Sequence, residues 1–336
     1  MSSTKLSICI ATYNRADFIG ETLESILPQL TDAVEVVVVD GASTDNTGSI
    51  VKRYAERCRN IRHVLLPAKG GVDKDYDLAV EHAKGEYCWF FTDDDILNPG
   101  AVHAVLSQLE NNYSLIIVNG NVKDSGLADL LEDKRLPVSE NVVYSPADFE
   151  RFFINTADYM SFIGCVVIQR SIWMERERAQ YYGYEFIHLG VIFQKPLVSP
   201  VLVIAEPYIS IRLGNAQWTS RAFEIWMFKW PTLIWGFDSL SDPAKSRVSP
   251  REPWRNFKVL AFLRAEGNFT ASEYRRFIKP RARSVSRVLA ALLVHTPERL
   301  LNFLATIYYL IKNPSSKRVF FALRSSRCYW LSPIWK

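Results

Sequence analysis

Three consecutive aspartates, Asp93, Asp94 and Asp95, stand directly behind the apolar run EYCWFFT, and Asp40 ends a second such run, EVVVVD. Adjacent carboxylates repel and raise each other's pKa, a cost that a cation removes. Oxygen donors suit Mg²⁺ or Mn²⁺, ions that keep several waters and bind through one or two carboxylates plus substrate phosphates. A solvated turn capping the helix near Pro99 is the plainer account of three aspartates in a loop. Their place behind a buried strand favours the cation.

Holding such carboxylates at one edge needs a sheet, and the first 120 residues read as one. Short β-branched runs alternate with amphipathic stretches, the pattern of a parallel sheet with crossover helices. Strands are expected at LSICIAT (6–12), EVVVVD (35–40), IRHVLL, EYCWFF (86–91) and SLIIVNGN. The intervening helices are expected at 17–30, from Thr44 or Asp45 to Cys58, at 75–84 and at 99–110, with Pro28 disturbing only the last turn of the first. Tyr13 and Asn14 then fall at a strand-to-helix turn, where asparagine tolerates a left-handed conformation. In a doubly wound α/β domain the ligand crevice lies at the carboxyl ends of the strands. Beyond Asn121 the pattern is mixed: helices near 146–154, 171–180 and 185–195, a strand at FIGCVVIQ (162–169), and paired strands within 198–212 with Pro200 and Pro207 at their edges. From Arg221 onward only helices are expected, with a hinge at Asp242–Pro253.

Three segments in order, ICIATYNRADFIGETLESIL, VVVVDGASTDNT and KGEYCWFFTDDDILNPG, resemble the start of the family 2 glycosyltransferases, which have the A-type nucleotide-sugar fold (GT-A). The resemblance covers residues 5–120 well and 121–215 loosely. It implies an α/β, Rossmann-like domain with a mixed central sheet, a donor half at 1–120, an acceptor half at 121–220 and a basic helical region at 221–336. It implies that Ala11, Thr12, Tyr13 and Asn14 lie at the nucleobase and ribose and that Asp40 binds the base. Asp94 would hold the metal directly, Asp93 would meet the ribose or a metal-bound water, and Asp95 would support the ion or cap a helix. Thr92 stands where the family's D-x-D-D has its first aspartate. Asp73, Lys74 and Asp77 would lie near the sugar or diphosphate. For the general base of an inverting transfer the resemblance offers Glu185, with His188 a helical turn later and Asp158 upstream as alternatives.

The cofactor expected is therefore Mn²⁺ or Mg²⁺, and the donor a nucleotide-diphosphate sugar. DGAS in place of DDGS, GVDKDYD and FIHLG are similar to bacterial enzymes of O-antigen or capsule synthesis, the abequosyltransferase type among them. That similarity implies a deoxyhexose donor and a lipid-linked oligosaccharide acceptor. A nucleotidyltransferase would need a glycine-rich phosphate loop, and ATYNRADF has no glycine. A catalytically silent nucleotide-sugar binder or scaffold would be marked by loss of the acidic cluster, which is intact.

Charge divides the chain. Residues 1–244 carry 21 Lys and Arg against 32 Asp and Glu, net −11, while residues 245–336 carry 19 against 4, net +15. The basic part interleaves its charges with VLAALLV (288–294) and LLNFLATIYYLI (300–311), both short of the roughly 18–20 apolar residues that cross a bilayer. Surface-lying helices on anionic lipid are expected, with Tyr308, Tyr309, Trp330 and Trp335 at the headgroup boundary. The tail has no recognisable nucleic-acid module, so no nucleic-acid partner is expected. Such helices also close a core or form a dimer interface, which leaves a homo-oligomer open. Five scattered cysteines without a C-x-x-C pair, and an opening apolar run too short for a signal peptide, suggest reduced thiols and a cytoplasmic protein peripheral on the inner face of the membrane.

Overall fold

The computed structural model describes residues 4–281 and 285–331. It divides into two compact units. The first takes in the chain to Asn121, Asp133–Arg212 and Phe237–Val248; the second takes in Val122–Glu132, Leu213–Gly236 and the chain from Ser249.

The first unit is built on a mixed sheet. Its strands are β1 (Leu6–Thr12), β2 (Val34–Asp40), β3 (Ile61–Leu65), β4 (Tyr87–Phe91), β5 (Ile96–Leu97) and β6 (Leu115–Lys123). After β7 (Leu130–Glu132), which belongs to the second unit, come β8 (Val142–Tyr144), β9 (Val166–Gln169) and β10 (Val201–Arg212). The order is β3-β2-β1-β4-β9-β6-β10-β5, with β8 on β10. β3, β2, β1 and β4 are parallel, and β9 lies antiparallel to both β4 and β6. All seven residues of β1 and all five of β4 are buried, as expected of strands covered on both faces.

Register places the edge that matters. Thr12 pairs with Asp40, Asp40 with Leu65, and Ile10 with Phe91. The last residues of β1 and β2 and the loop after β4 therefore share one edge.

Helices α1 (Ile19–Ile26), α2 (Thr47–Arg57), α3 (Val72–His82) and α4 (Ala101–Leu106) follow β1, β2, β3 and β5, and α5 (Phe149–Met160), α6 (Arg170–Glu175) and α7 (Ile187–Phe193) come later. α1 buries Ile19, Leu23 and Ile26 against the sheet, and Pro28 sits in the 3₁₀ turn that ends it. α3 departs from ordinary amphipathicity: Asp73, Asp75 and Asp77 are buried on it beside Tyr76, Ala79 and Val80. The expected strand pair within 198–212 is instead one twelve-residue strand, β10. It runs on through Pro207, because its partners change along its length: β8 pairs with Val201–Val203 and β5 with Ile209–Ser210.

The second unit contains the short pairing of Val122–Lys123 with β7 and, beyond Arg221, helices only among the described residues. Phe223, Met227, Trp254, Leu260, Leu263, Phe269, Ile278 and Leu293 form its core. The passage from Val248 to Ser249 lies within the proline-containing stretch Asp242–Pro253. The helix Glu298–Lys312 is inverted in polarity. It buries Asn302, whose Nδ2 donates to the carbonyls of Ala265 and Leu323, while Leu300, Phe303, Leu304, Ile307, Tyr308 and Ile311 are exposed at helical spacing. No single described helix is long and apolar enough to cross a membrane; Arg287–His295 and Glu298–Lys312 together meet that length across a 102° bend. Trp335 lies outside the described residues.

Candidate active site

The loops after β1 and β2 are tied together before any ligand is considered. Asn14 adopts φ 52°, the left-handed conformation expected of it. Its Oδ1 accepts the Thr44 N–H at 2.7 Å, its own N–H donates to Ser43 Oγ at 2.9 Å, and the Arg15 N–H donates to Thr47 Oγ1 at 2.7 Å. Asp45, expected as a helix cap, accepts the N–H groups of Thr47 and Ala16 and so serves both loops. Ala11 and Thr12 are buried in β1, while Tyr13 is half-buried with the ammonium of Lys69 3.7 Å above its ring centre.

Asp40 is wholly buried at the end of β2. Its Oδ1 accepts the Ser43 N–H at 2.8 Å. Its Oδ2 lies 3.6 Å from His63 Nε2, too far for a hydrogen bond, and has no hydrogen-bonding partner. Burial alone would raise its pKa; His63 and Ser43 outweigh it and hold the carboxylate below its usual range. Beside it, Asp75 on α3 also carries a buried, unpartnered oxygen, and burial pushes this carboxyl up to about 6. A Cβ at residue 41 would stand 2.8 Å from Asp75 Oδ2. Glycine at the second position of DGAS therefore makes room for Asp75.

The acidic triplet behind β4 is neutralised by arginine. Arg15 Nε donates to Asp93 Oδ1 at 3.1 Å and its Nη2 donates to Asp94 Oδ2. Burial works against the charge of Arg15, but Asp93 and Asp94 hold its pKa above the ordinary value. Arg212, the last residue of β10, donates its Nε to the Asp94 carbonyl at 2.8 Å and pairs with Glu21. Both guanidiniums lie about 5 Å from the Phe18 ring centre, at 5.0 and 5.1 Å. Asp95 is committed elsewhere. Its Oδ1 accepts the Arg212 N–H at 2.6 Å and its Oδ2 the Thr92 hydroxyl, so the expected metal residue fastens β10 to this loop instead. Burial pushes its carboxyl up to about 6.

Among the described residues no cluster of three or more histidines, cysteines or carboxylates is disposed to hold a metal by itself. The donor set is Asp94 with Asp93, the one or two carboxylates that Mg²⁺ takes when phosphates complete its shell. These residues fit a cation held jointly with a diphosphate, and Arg15 competes for them.

Three expected residues meet different surroundings. Asp73 accepts the N–H groups of Gly183 at 2.8 Å, Glu185 at 2.9 Å and Ile187 at 3.1 Å, so its carboxylate is occupied by backbone. Asp77, one turn on, accepts Trp173 Nε1 at 2.8 Å and the Tyr182 hydroxyl, with Arg178 Nε 2.8 Å away. His188 is sealed in the core with Nε2 2.6 Å from the Met160 carbonyl, and burial lowers its pKa to about 4. No acceptor hydroxyl reaches a ring without solvent exposure, which removes His188 as the base.

Lys74 is exposed at the start of α3. Asp158 is exposed on α5, 3.8 Å from Arg135. Glu185 is half-exposed and has φ 73°, a conformation costing a glutamate on the order of 1 kcal/mol. Because α3 follows a parallel strand, its first turn lies at the carboxyl edge, and Asp73 brings Glu185 there. Sequence reasoning missed His63, Asp75 and Arg212. Arg212, like Asp40, is a charged residue that ends a strand, but exposed Glu206 interrupts the buried apolar run before it.

Residues 7–171 match the family model described as Glycosyl transferase family 2. The chain is 27% identical over 116 residues to Glycosyltransferase GlyG of Streptococcus pneumoniae, covering 34% of this chain and 38% of that one. It is 24% identical over 236 residues to Abequosyltransferase RfbV of Salmonella typhimurium, covering 64% and 69%. The chain thus spans little more than a third of the pneumococcal relative. Among solved structures, S. aureus TarS 1–349 in complex with UDP superposes with TM-score 0.58 at 16% identity, over 95% of this chain and 90% of that one. The fold is that of the GT-A glycosyltransferases, as expected from the sequence.

Proposed function

We propose that this chain, whose residues 7–171 match the model of glycosyl transferase family 2, is an inverting, metal-assisted transferase of that family. It moves a sugar, a deoxyhexose by its likeness to the abequosyltransferase, from a nucleoside diphosphate to a hydroxyl of a lipid-linked oligosaccharide in O-antigen or capsule synthesis. One observation carries the reading: in-register strands bring Asp40 and the Asp93–Asp94 pair to a single edge of the sheet.

At that edge Asp40 takes the base, its unpartnered Oδ2 accepting an N–H from the ring, and Tyr13 walls the nucleoside. Asp94 and Asp93 would hold Mg²⁺ or Mn²⁺, which when bound supplies Lewis-acid stabilisation to the departing diphosphate. Arg15, displaced from the carboxylates, offers its fixed charge to the same phosphates. Glu185 takes the acceptor's proton as the hydroxyl oxygen bonds to the anomeric carbon. The bond to the diphosphate breaks on the opposite face, which inverts the configuration.

The lipid-linked acceptor calls for a membrane surface, and the basic helices beyond Ser249, with their outward-facing apolar stripe, support attachment to the inner face of the cytoplasmic membrane. The test of function is direct. UDP, CDP, GDP and dTDP are screened for thermal stabilisation with and without Mn²⁺ or Mg²⁺, a ligand at 100 times its Kd giving about 2.7 kcal/mol. Nucleoside diphosphate release from the corresponding sugar nucleotides is then measured with an undecaprenyl-diphosphate oligosaccharide. Stabilisation by none of the four overturns the reading.

A further inference from the structure

We propose that Asp73 is a positioning residue for the reaction: its carboxylate, by accepting the N–H groups of Gly183, Glu185 and Ile187, fixes the left-handed backbone from which Glu185 acts. The proposal rests on the reading of Glu185 as the base and assigns to it a partner on a different element, more than a hundred residues earlier in the chain.

Two residues in three of this segment have positive φ, Gly183 at 89° and Glu185 at 73°. Glycine adopts such a conformation freely, but glutamate keeps it only where the surroundings over-determine it. Tyr184 N–H returns to the Tyr181 carbonyl at 3.2 Å, whereas the N–H groups of Gly183, Glu185 and Ile187 all reach Asp73. α7 begins at Ile187 without a side-chain cap of its own. Its first N–H would be an orphan, and Asp73 accepts it from outside the helix.

The division of labour on α3 makes the role specific. Asp77 anchors the preceding stretch through Trp173 and Tyr182, so that stretch keeps an attachment when Asp73 is changed. Asp73 touches the peptide of Glu185 itself. An N-terminal helical turn also suits a carboxylate, since it faces the positive end of the α3 dipole. Three backbone N–H groups occupy the Asp73 carboxylate, which leaves it acting through Glu185 and not on the sugar.

The experiment uses the full chain and two readouts. Amide hydrogen exchange at Gly183, Glu185 and Ile187 should accelerate in Asp73→Ala while the β-sheet amides stay protected; unchanged exchange at all three overturns the proposal. Release of nucleoside diphosphate, from whichever UDP-, CDP-, GDP- or dTDP-sugar the wild-type chain uses, is then measured in a double-mutant cycle. Asp73→Ala should lower kcat by about 10- to 100-fold, as a displaced catalytic group does, with donor KM little changed. Asp73→Asn should recover part of the loss, since its amide oxygen still accepts a hydrogen bond. Added to Glu185→Gln, Asp73→Ala should cost nothing further. An equal loss in both backgrounds, or a rise confined to donor KM, shows a general structural role or a donor contact and overturns the proposal. Full transfer by Glu185→Gln alone defeats the base reading instead, and the two failures are thereby distinct.

Discussion

Arg15 sits on the carboxylate of Asp94, the residue assigned to the metal, and reaches Asp93 with the same guanidinium. A cation held at this pair would therefore compete with Arg15 for the same carboxylate oxygens. Mn²⁺ alone should bind the wild-type chain poorly and bind well only with a nucleoside diphosphate, which gives Arg15 phosphate to face. Arg15→Gln should bind Mn²⁺ at least about tenfold more tightly without nucleotide, a change of about 1.4 kcal/mol, and Asp94→Asn should abolish that gain. Mn²⁺ titration followed by electron paramagnetic resonance reads both. Equal affinity of wild type and Arg15→Gln would remove the competition.

Glu185→Gln keeps the side chain's size and its backbone bond to Asp73 but cannot take a proton. Transfer should fall by about 10² to 10⁴, the contribution of a positioned general base. Nucleoside diphosphate binding, measured by calorimetry, should be unchanged, because Asp40 and Tyr13 are untouched. Weakened nucleotide binding would place Glu185 on the donor.

How far the sequence reached is seen at Asp40 and Asp95. The position of Asp40 was legible because buried strands of near-continuous β-branched residues can be read in one dimension, and a carboxylate ending one falls at the carboxyl edge of the sheet whatever the tertiary details. Asp95 was read as supporting the ion or capping a helix. Its real partners, Thr92 and the backbone of Arg212, depend on β10 returning antiparallel 117 positions later. The partners of Asp73 were equally hidden, since no local pattern announces that three amides of residues 183–187 will converge on it. The parallel half of the sheet was open to periodicity; the clamps between distant elements were not.

Gly41 gives a stability test of one such clamp. A Cβ there meets Asp75 Oδ2 at 2.8 Å, closer than ordinary contact allows. Gly41→Ala should lower stability by about 1–3 kcal/mol, the usual range for overpacking, and Asp75→Ala should restore most of it in the double variant. Urea unfolding of the four proteins closes the cycle. Additive effects would show that residue 41 does not press on Asp75.

His188 makes stability pH-dependent with a defined sign. Its folded pKa of about 4 lies below the ordinary 6.5 because the buried ring resists charging. Between those values the unfolded chain binds the proton more readily, so this residue's contribution is whole above pH 6.5 and is lost as pH falls towards 4. Buried Asp73, Asp75 and Asp95, each raised to about 6, slope the other way and obscure the total. The difference between wild type and His188→Leu isolates the term. It should shift by on the order of 3 kcal/mol between pH 7 and pH 4, read from chemical unfolding at each pH. A pH-independent difference would mean the ring is not held neutral.

The inverted helix Glu298–Lys312 tests attachment to lipid. Leu304 is 50% exposed and Ile311 75% exposed on its outward stripe, so aspartate at both sites should leave the folded state intact. Burying such side chains in a bilayer gains about 1.5–3 kcal/mol each, and each nearby Lys or Arg adds about 1 kcal/mol against anionic lipid. Full-length protein should sediment with phosphatidylglycerol-rich vesicles at low salt and release partly at high salt, where charge is screened within about 3 Å at 1 M. Leu304→Asp with Ile311→Asp should stay in the supernatant at unchanged Tm. The competing occupant of the stripe is a second copy of the chain. In that case wild type ignores vesicles, and the double variant converts a dimer to a monomer in analytical ultracentrifugation.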